Sequence, residues 1–329
     1  MDEAAAAALA SHSSAAASAS LDCQSAAAAA VTTMPMEEHL DHLDSVMVAL
    51  EGGTFLMGSD AREVVYVEDG EHPQRRVCVL PFSIDDIEAT TGDWAQFAVA
   101  TGYATDAERF NQSFVFDLLV SPALNATITQ AVAEAPWWLP VDGASWHAPE
   151  GPGTTYTGRS NFPAQHVSAN DADAFCRWAG KRVPTEAEWE FAARGGRANK
   201  RYPWGDSNLD LYIRANTFEG IFPHAPQVRD GYLGPAPSRS YPPNRYGLFN
   251  MAGNLWEWTS TIEPGPAGNA QRVKKGGSFM CHRSHCFRYR NSARVRNTAD
   301  SSSSNTGVRC AKDGARGKAS KCTAEPIDQ

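Results

Sequence analysis

Two cysteines five positions apart, Cys281 and Cys286, have the clearest potential for chemistry in this chain. They lie in a segment, residues 272–296, with eight basic side chains and no carboxylate, although the formal net charge of the whole chain is -9. Positive charge near a thiol stabilises the thiolate and lowers the thiol pKa. A pair of thiolates is a soft donor set that suits Cu(I) or zinc, and two such thiols can also form a redox disulfide. The spacing alone equally allows a structural disulfide or two buried thiols.

Composition limits the classes of protein to which the chain can belong. Its 329 residues are enough for one large domain or two ordinary ones. Ala/Ser runs predict that residues 1–45 are a low-complexity segment without a packed core, and we see no clear signal peptide there. No segment approaches the roughly 18 consecutive apolar residues that span a membrane. The pI near 5.5 argues against nucleic-acid binding.

Three helices are expected from apolar spacing and capping residues. Residues 91–101 carry Trp94 and Phe97 at helical spacing and are followed by a glycine. A second helix is predicted over residues 170–179, with Asn170 as its cap. A third follows Thr185, because a glutamate three positions later completes a capping box.

Strands are expected near the start of the folded region. Residues 46–48 and 54–57 are apolar and flank a Gly-Gly turn, and residues 76–84 form a further candidate strand. By contrast, residues 200–310 are rich in Pro, Gly, Asn and aromatic side chains and lack long apolar alternation. A domain with so little regular structure needs other sources of stability, such as buried tryptophans, a disulfide or bound cations.

Six sequence blocks resemble the formylglycine-generating enzyme (sulfatase-modifying factor) family. They are residues 53–59 (GTFLMGS), 135–141 (APWWLPV), 178–190 (WAGKRVPTEAEWE), 253–259 (GNLWEWT), 276–290 (GGSFMCHRSHCFRYR) and 305–310 (NTGVRC). The resemblance implies an α+β fold over residues 46–313. That fold is a single compact domain, low in regular secondary structure and related to C-type lectins, with residues 314–329 as a flexible tail.

The family resemblance also implies an activity. Its members are aerobic oxidases that convert the cysteine of a Cys-x-Pro-x-Arg segment in sulfatases to Cα-formylglycine. The implied co-substrate is molecular oxygen with an external thiol reductant, and the implied partners are nascent or unfolded sulfatase polypeptides. We expect a monomer without nucleic-acid or membrane partners, in the endoplasmic reticulum lumen or secretory pathway if the source is eukaryotic.

The same resemblance assigns site residues. It implies that Cys281 and Cys286 hold copper, that Ser278 has a catalytic role, and that Trp256 and Arg309 line the substrate pocket. A serine hydroxyl can donate a hydrogen bond to a reduced-oxygen species. Each of the last three residues has another interpretation: Ser278 as a turn residue, Trp256 as core and Arg309 as a salt-bridge partner.

Structural calcium and one disulfide are further implications of the resemblance. The two sets of calcium ligands combine side-chain and backbone oxygens, as a hard cation prefers. One set is Asn216, Asp230 and the carbonyl oxygens of Thr217 and Tyr232, and the other is Asn250, Glu257 and the carbonyl oxygens of Gly253 and Leu255. The implied disulfide joins Cys176 to Cys310.

Two other functions compete with this interpretation. An iron-dependent sulfoxide synthase of the same superfamily needs a His-x-x-x-His-x-Glu motif. Here His39/His42 and His282/His285 each have two intervening residues and no glutamate at the required place. A non-catalytic paralogue would be expected to lose the cysteine pair, which this chain retains.

Overall fold

Five helices are present in the computed structural model, which describes residues 43–265 and 268–314. They are α1 (Thr91–Thr101), α2 (Asp106–Phe110), α3 (Pro122–Asn125), α4 (Ala169–Trp178) and α5 (Glu186–Arg194). Three single 3-10 turns cover Val67–Asp69, Asp117–Leu119 and Leu211–Ile213. Nearly all of the predicted Ala/Ser-rich segment and C-terminal tail lies outside the described residues. None of the described helices is long and apolar enough to cross a membrane.

Thirteen short strands in the described residues form five small sheets. The strands are β1 (Met47–Leu50), β2 (Gly53–Met57), β3 (Arg75–Val79), β4 (Phe82–Asp85), β5 (Gln112–Phe116), β6 (Trp138–Asp142), β7 (Gly220–Ile221), β8 (Ala225–Pro226), β9 (Trp256–Pro264), β10 (Ala270–Lys275), β11 (Arg294–Asn297), β12 (Thr306–Gly307) and β13 (Ala311–Asp313). The largest sheet has the order β11-β10-β9-β12, and a second has the order β1-β4-β13. The remaining sheets are the pairs β2–β3, β5–β6 and β7–β8.

The four-stranded sheet places several side chains on one face. Lys274 on β10 lies opposite Trp258 on β9 and Val295 on β11, while Thr306 on β12 lies beside Trp256 on β9. Residues two apart on a strand, and residues opposite each other on paired strands, share a face of the sheet. These five side chains therefore belong to one face, and the intervening residues point to the other.

The predicted helices are confirmed, with one correction at a cap. Thr185 caps α5 through a capping box with Glu188, as predicted. For α4 the cap is Ser168 rather than Asn170. The Ser168 hydroxyl accepts a hydrogen bond from Asp171 N, and the Asp171 carboxylate accepts one from Ser168 N, so the box closes two residues earlier.

The predicted strand over residues 76–84 is wrong as a single element. It is divided into β3 and β4, with Leu80 and Pro81 between them. Proline lacks a backbone N–H, so a strand is readily interrupted there. The other two predicted strands are confirmed, but β1 pairs with β4 and β2 with β3, not with each other.

The prediction of an α+β domain low in regular structure is confirmed. Between α5 and β9 the described chain holds only one 3-10 turn and two strands of two residues each. In the core, the Trp94 ring stacks on Phe175 with ring centroids 4.9 Å apart. Cys176 on α4 and Cys310 before β13 form the predicted disulfide, with Cα atoms 5.6 Å apart. The covalent link and the aromatic core hold together segments that few sheet hydrogen bonds connect.

Candidate active site

Cys281 and Cys286 lie in the long loop between β10 and β11. Two turns bring them together: Cys281 N donates to Ser278 O (2.9 Å) and Cys286 N donates to His282 O (2.7 Å). The Cα atoms are 4.6 Å apart and the two sulfur atoms are joined as a disulfide. Reduction of that bond would leave two adjacent thiols, which is the soft donor pair expected from the sequence.

The cysteine pair lines an open cavity with an aromatic wall. The wall is apolar and comes from widely separated segments: Phe114, Val132, Trp137, Trp138, Phe222, Trp256, Met280 and Val295. Polar and charged side chains complete the lining: Lys274, Ser278, His285, Arg288, Asn297, Ser303 and Asn305. A concave apolar surface with a few convergent polar groups is the usual form of a substrate site. The cavity therefore supports a functional rather than a purely structural interpretation of the cysteines.

Ser278 lies against Cys281 at the base of this cavity. Its backbone N–H donates to the Cys281 sulfur (3.4 Å), while its hydroxyl oxygen accepts from Met280 N (3.4 Å) and from the Asn305 side-chain amide (3.0 Å). The side chain is fully buried. Because two donors already occupy the oxygen, the hydroxyl hydrogen is available for a partner in the cavity.

A pair of glycines before Ser278 allows the chain to turn into the site. Gly276 and Gly277 have φ values of 97° and 74°, in the region that favours glycine. A Cβ atom on Gly277 would lie 2.9 Å from the Cα atom of Tyr289. The turn therefore depends on the two glycines, and Ser278 follows the turn and lines the cavity.

Trp256 lines the cavity, whereas Arg309 lies outside it. Arg309 is fully buried, and its guanidinium donates to both carboxylate oxygens of Glu257 (2.6 Å each). It also donates to the backbone oxygens of Asp85, Asp86 and Phe249. The prediction that Arg309 lines the pocket is wrong, because its donors are all directed into this buried cluster.

The positive charge expected around the cysteines is largely neutralised in the folded protein. Arg288 forms a bidentate pair with Asp69, and Arg290 does so with Glu71. Other basic side chains of the segment pair with acidic groups on α4, α5 and β9: Arg272 with Asp173, Lys275 with Glu190, Arg294 with Glu186 and Glu263, and Arg296 with Glu263. The segment contains no carboxylate, but the tertiary structure supplies them.

Lys274 is a pocket residue that the sequence did not single out. It is buried, and burial lowers its pKa to about 7. Asn305, which bonds Ser278, was also missed, although it begins the last sequence block that resembles the family. In the sequence, Lys274 was only one of eight basic residues in the segment, and no motif distinguished it from Lys275.

In the first predicted calcium set, Asp230 and Asn216 form hydrogen bonds within the protein. The Asp230 carboxylate accepts hydrogen bonds from Tyr232 N (3.0 Å) and Tyr241 OH (2.7 Å). Asn216 donates its side-chain amide to Gly234 O (2.9 Å). No group of three or more His, Cys, Asp or Glu side chains suited to a metal occurs in the described ranges. Each predicted set contains a single carboxylate, so it depends on amide and backbone oxygens.

The second predicted set contains one acceptor suited to a cation. The Asn250 side-chain oxygen is buried and has no hydrogen-bond partner among the described residues, while its amide nitrogen donates to Glu88 and Ser238 O. Glu257 already accepts three hydrogen bonds, two from Arg309 and one from Trp189. Burial raises the pKa of nearby Glu88 to about 7, with Arg309 opposing and Glu257 adding to the rise. The unpaired Asn250 oxygen fits a hard cation, and Glu257 can offer it one remaining lone pair.

Comparison with known proteins agrees with this arrangement. Residues 33–314 match the family described as sulfatase-modifying factor enzyme 1-like domain. The chain is 50% identical over 280 residues to the formylglycine-generating enzyme of Mus musculus, covering 81% of this chain and 75% of that protein. It is 44% identical over 278 residues to the inactive C-alpha-formylglycine-generating enzyme 2 of Mus musculus, covering 84% and 88%.

A solved structure shows the same fold at lower identity. PvdO from Pseudomonas aeruginosa superposes with a TM-score of 0.58 at 23% identity, covering 81% of this chain and 94% of PvdO. At that identity the similarity concerns the fold alone. On the extent of the family match and the identity to its curated relatives, the chain belongs to the sulfatase-modifying factor enzyme 1-like domain family.

Proposed function

We propose that this protein is a formylglycine-generating enzyme, which oxidises the cysteine of a Cys-x-Pro-x-Arg segment in sulfatase polypeptides to Cα-formylglycine. The observation that carries the proposal is the adjacent Cys281/Cys286 pair, with Ser278 beside it, at a cavity in a chain 50% identical to an enzyme of that name. In the balanced reaction, one O₂ takes two hydrogens from the substrate cysteine and two from a pair of external thiols. Of the two waters formed, one hydrolyses the thioaldehyde and releases hydrogen sulfide.

Copper fits the residues at the site. Cys281 and Cys286 would hold Cu(I), because two adjacent thiolates in an apolar cavity match the preference of that ion for soft donors. When bound, Cu(I) would supply a redox centre with affinity for a further thiolate. The chain must then bind the substrate segment, exclude water and control protons.

The described residues can meet those remaining demands. The wall formed by Trp137, Trp138, Phe222 and Trp256 would give the reacting sulfur an apolar environment once the substrate segment fills the cavity. Ser278 can donate its hydroxyl hydrogen to negative charge that develops on oxygen during reduction. Such a donor is effective because its direction is set before the reaction, here by the bonds that Ser278 oxygen accepts.

Two competing functions are less well supported. The inactive relative suggests a non-catalytic role, but the paired cysteines beside Ser278 at an open cavity favour an enzyme. For an iron site, His282 bonds Ser284 (2.7 Å) and His285 stacks on Phe222 (centroids 4.4 Å apart). Neither arrangement supplies the histidine and carboxylate ligands that iron requires.

Turnover of a synthetic Cys-x-Pro-x-Arg peptide tests the proposal directly. Reduced protein loaded with Cu(I) should form the aldehyde, whereas Cys281→Ser and Cys286→Ser should lose tight Cu(I) binding and turnover, since one soft ligand is too few. Ser284→Ala, an exposed change in the same loop, should leave both unchanged. Peptide bound without aldehyde formation would favour the non-catalytic function, and full turnover by either cysteine variant would exclude the two-thiolate site.

Calcium and compartment belong to the same proposal. Calcium bound through Asn250 and Glu257, and through Asn216 and Asp230, would stabilise the irregular region that precedes the active-site loop. The Cys176–Cys310 disulfide supports an oxidising compartment, such as the secretory pathway of a eukaryote. The protein would act there on sulfatase polypeptides before they fold, because the target segment has to reach the base of the cavity.

A further inference from the structure

Lys274 is the cation at the cavity without an acidic partner. Arg288, which also lines the cavity, is paired with Asp69, and the neighbouring Lys275 is paired with Glu190. No carboxylate pairs with Lys274 in the described part of the chain; its amine lies 5.0 Å from the centre of the Trp258 ring. A buried amine without a counter-ion destabilises a fold, so its presence in the lining of the cysteine cavity calls for a functional explanation.

A chain of hydrogen bonds connects Lys274 to Ser278. The Lys274 amine donates to the Thr306 hydroxyl (3.4 Å), which contacts the Ser303 hydroxyl (2.9 Å). Ser303 donates to the side-chain oxygen of Asn305 (2.8 Å), and the Asn305 amide nitrogen donates to the Ser278 hydroxyl (3.0 Å). All five side chains are buried, so water does not compete freely for these bonds.

The direction of this chain follows from the chemistry of its two ends. The amine donates into the chain, so Thr306 accepts from it, and the Thr306 hydroxyl hydrogen can be given to Ser303 or directly to the Asn305 side-chain oxygen (3.3 Å). Ser303 in turn donates to the Asn305 carbonyl, which leaves the amide nitrogen facing Ser278. Ser278 oxygen also accepts from Met280 N, so its hydrogen has to point away from both donors.

We propose that Lys274 is a positioning residue for the reaction. Through Thr306, Ser303 and Asn305 it holds the Ser278 hydroxyl in the orientation that donates into the cavity beside Cys281. The inference rests on the proposed function, because it concerns the same site. Lys274 itself need not touch the substrate, because each hydrogen bond in the chain sets the orientation of the next side chain.

Steady-state kinetics with the Cys-x-Pro-x-Arg peptide test this role. Lys274→Met, which has a similar length and no N–H donors, should lower kcat at least tenfold and change KM less than threefold. Lys274→Arg keeps a donor and should recover part of the lost kcat. Thr306→Val leaves the amine in place but breaks the first link, so it should lower kcat to a similar extent, and the double variant should lose little more. Lys312→Met, an exposed lysine on β13, is the matched control and should keep wild-type kinetics.

The outcomes distinguish this proposal from its alternatives. Wild-type kcat in Lys274→Met or in Thr306→Val would overturn it, and so would a loss that appears in KM rather than kcat. Cu(I) binding measured on the same samples should match the wild type, and the melting temperature should not fall below it. If Lys274→Met fails to fold, Thr306→Val and Lys274→Arg still decide the matter. Absence of turnover in the wild type would instead refute the proposed function, and the role of Lys274 with it.

Discussion

At the scale of single residues, the cysteine pair has a different electrostatic environment from the one that its sequence neighbours suggest. Most basic side chains of the segment are engaged by carboxylates, for example Arg288 by Asp69. The described structure also places a backbone N–H of Ser278 against the Cys281 sulfur, and it places the Lys274 amine, which has no carboxylate partner among the described residues, in the lining of the same cavity. Local hydrogen bonding and one buried amine therefore take the place of the broad positive charge expected from the sequence.

Substitution of Ser278 should reduce catalysis much more than it reduces folding. We expect Ser278→Ala to fold but to lose about 1–3 kcal/mol of the free energy of unfolding, because it leaves the buried donors of Met280 and Asn305 without their acceptor. Its kcat with the peptide should fall at least tenfold while peptide binding persists, since the lost bond forms mainly in the transition state. Denaturant unfolding, peptide binding and turnover should be measured on one preparation. Unchanged turnover would remove Ser278 from the mechanism. Failure to fold would restore the interpretation of Ser278 as a turn residue.

At the scale of elements, the cavity depends on one face of the four-stranded sheet and on the glycine turn that follows β10. Register alone places Trp256, Lys274 and Thr306 on the same face. The chain then turns at Gly276 and Gly277 to bring Ser278 and Cys281 over that face. The sheet thus supplies the fixed side of the site and the loop supplies the reactive side.

Gly277→Ala tests the requirement for this turn against a matched glycine. At Gly102, the cap of α1 with φ 65°, an added Cβ would have no atom within 4 Å, whereas a Cβ on Gly277 would lie 2.9 Å from Tyr289 Cα. Gly102→Ala should therefore cost about 1 kcal/mol, from backbone strain alone. Gly277→Ala should cost roughly 2 kcal/mol more, because the steric overlap adds to the strain. Chemical denaturation measures both; equal costs would show that the loop adapts without the glycine.

At the scale of the whole molecule, distant segments supply what the local sequence lacks. Acidic groups from the 3-10 turn Val67–Asp69 and from α5 neutralise the active-site segment, with Glu190 and Asp69 as examples. The Cys176–Cys310 disulfide closes a stretch of 134 positions, and a link of that kind contributes about 2–4 kcal/mol. Stability here comes from long-range pairing rather than from extensive regular structure.

Calcium should stabilise the whole domain through Asn250. We expect the melting temperature to rise with added calcium and fall in chelator, because a ligand that binds only the native state stabilises it by mass action. Asn250→Gly should reduce that dependence without backbone strain, since Asn250 has φ 53°. Asn111→Gly is the control, because Asn111 has φ 51° and caps α2. If the melting temperature of the wild type does not change with calcium concentration, the proposed calcium sites are wrong.

The sequence by itself determined the reactive pair, the glycine that ends α1, the N-cap of α5 and the family, and the family resemblance in turn implied the disulfide. Capping boxes depend on residues three positions apart, so local sequence encodes them well. The cysteine block and the other conspicuous motifs carry the family resemblance without any knowledge of packing. Apart from the disulfide, which spans 134 positions, these features could be predicted because each depends on residue type and short spacing.

Only the tertiary structure decided which charges are paired and which polar groups converge. Neither Arg309 nor Lys274 is followed or preceded directly by a carboxylate in the sequence. In the described structure, however, Arg309 is paired with Glu257, whereas Lys274 lies at the cavity without a carboxylate partner. Ion pairs such as Arg288–Asp69 join residues 219 positions apart, and no periodicity records such a contact. Charge pairing depends on which side chains meet after folding, so the electrostatics of the site could not be derived from the order of residues along the chain.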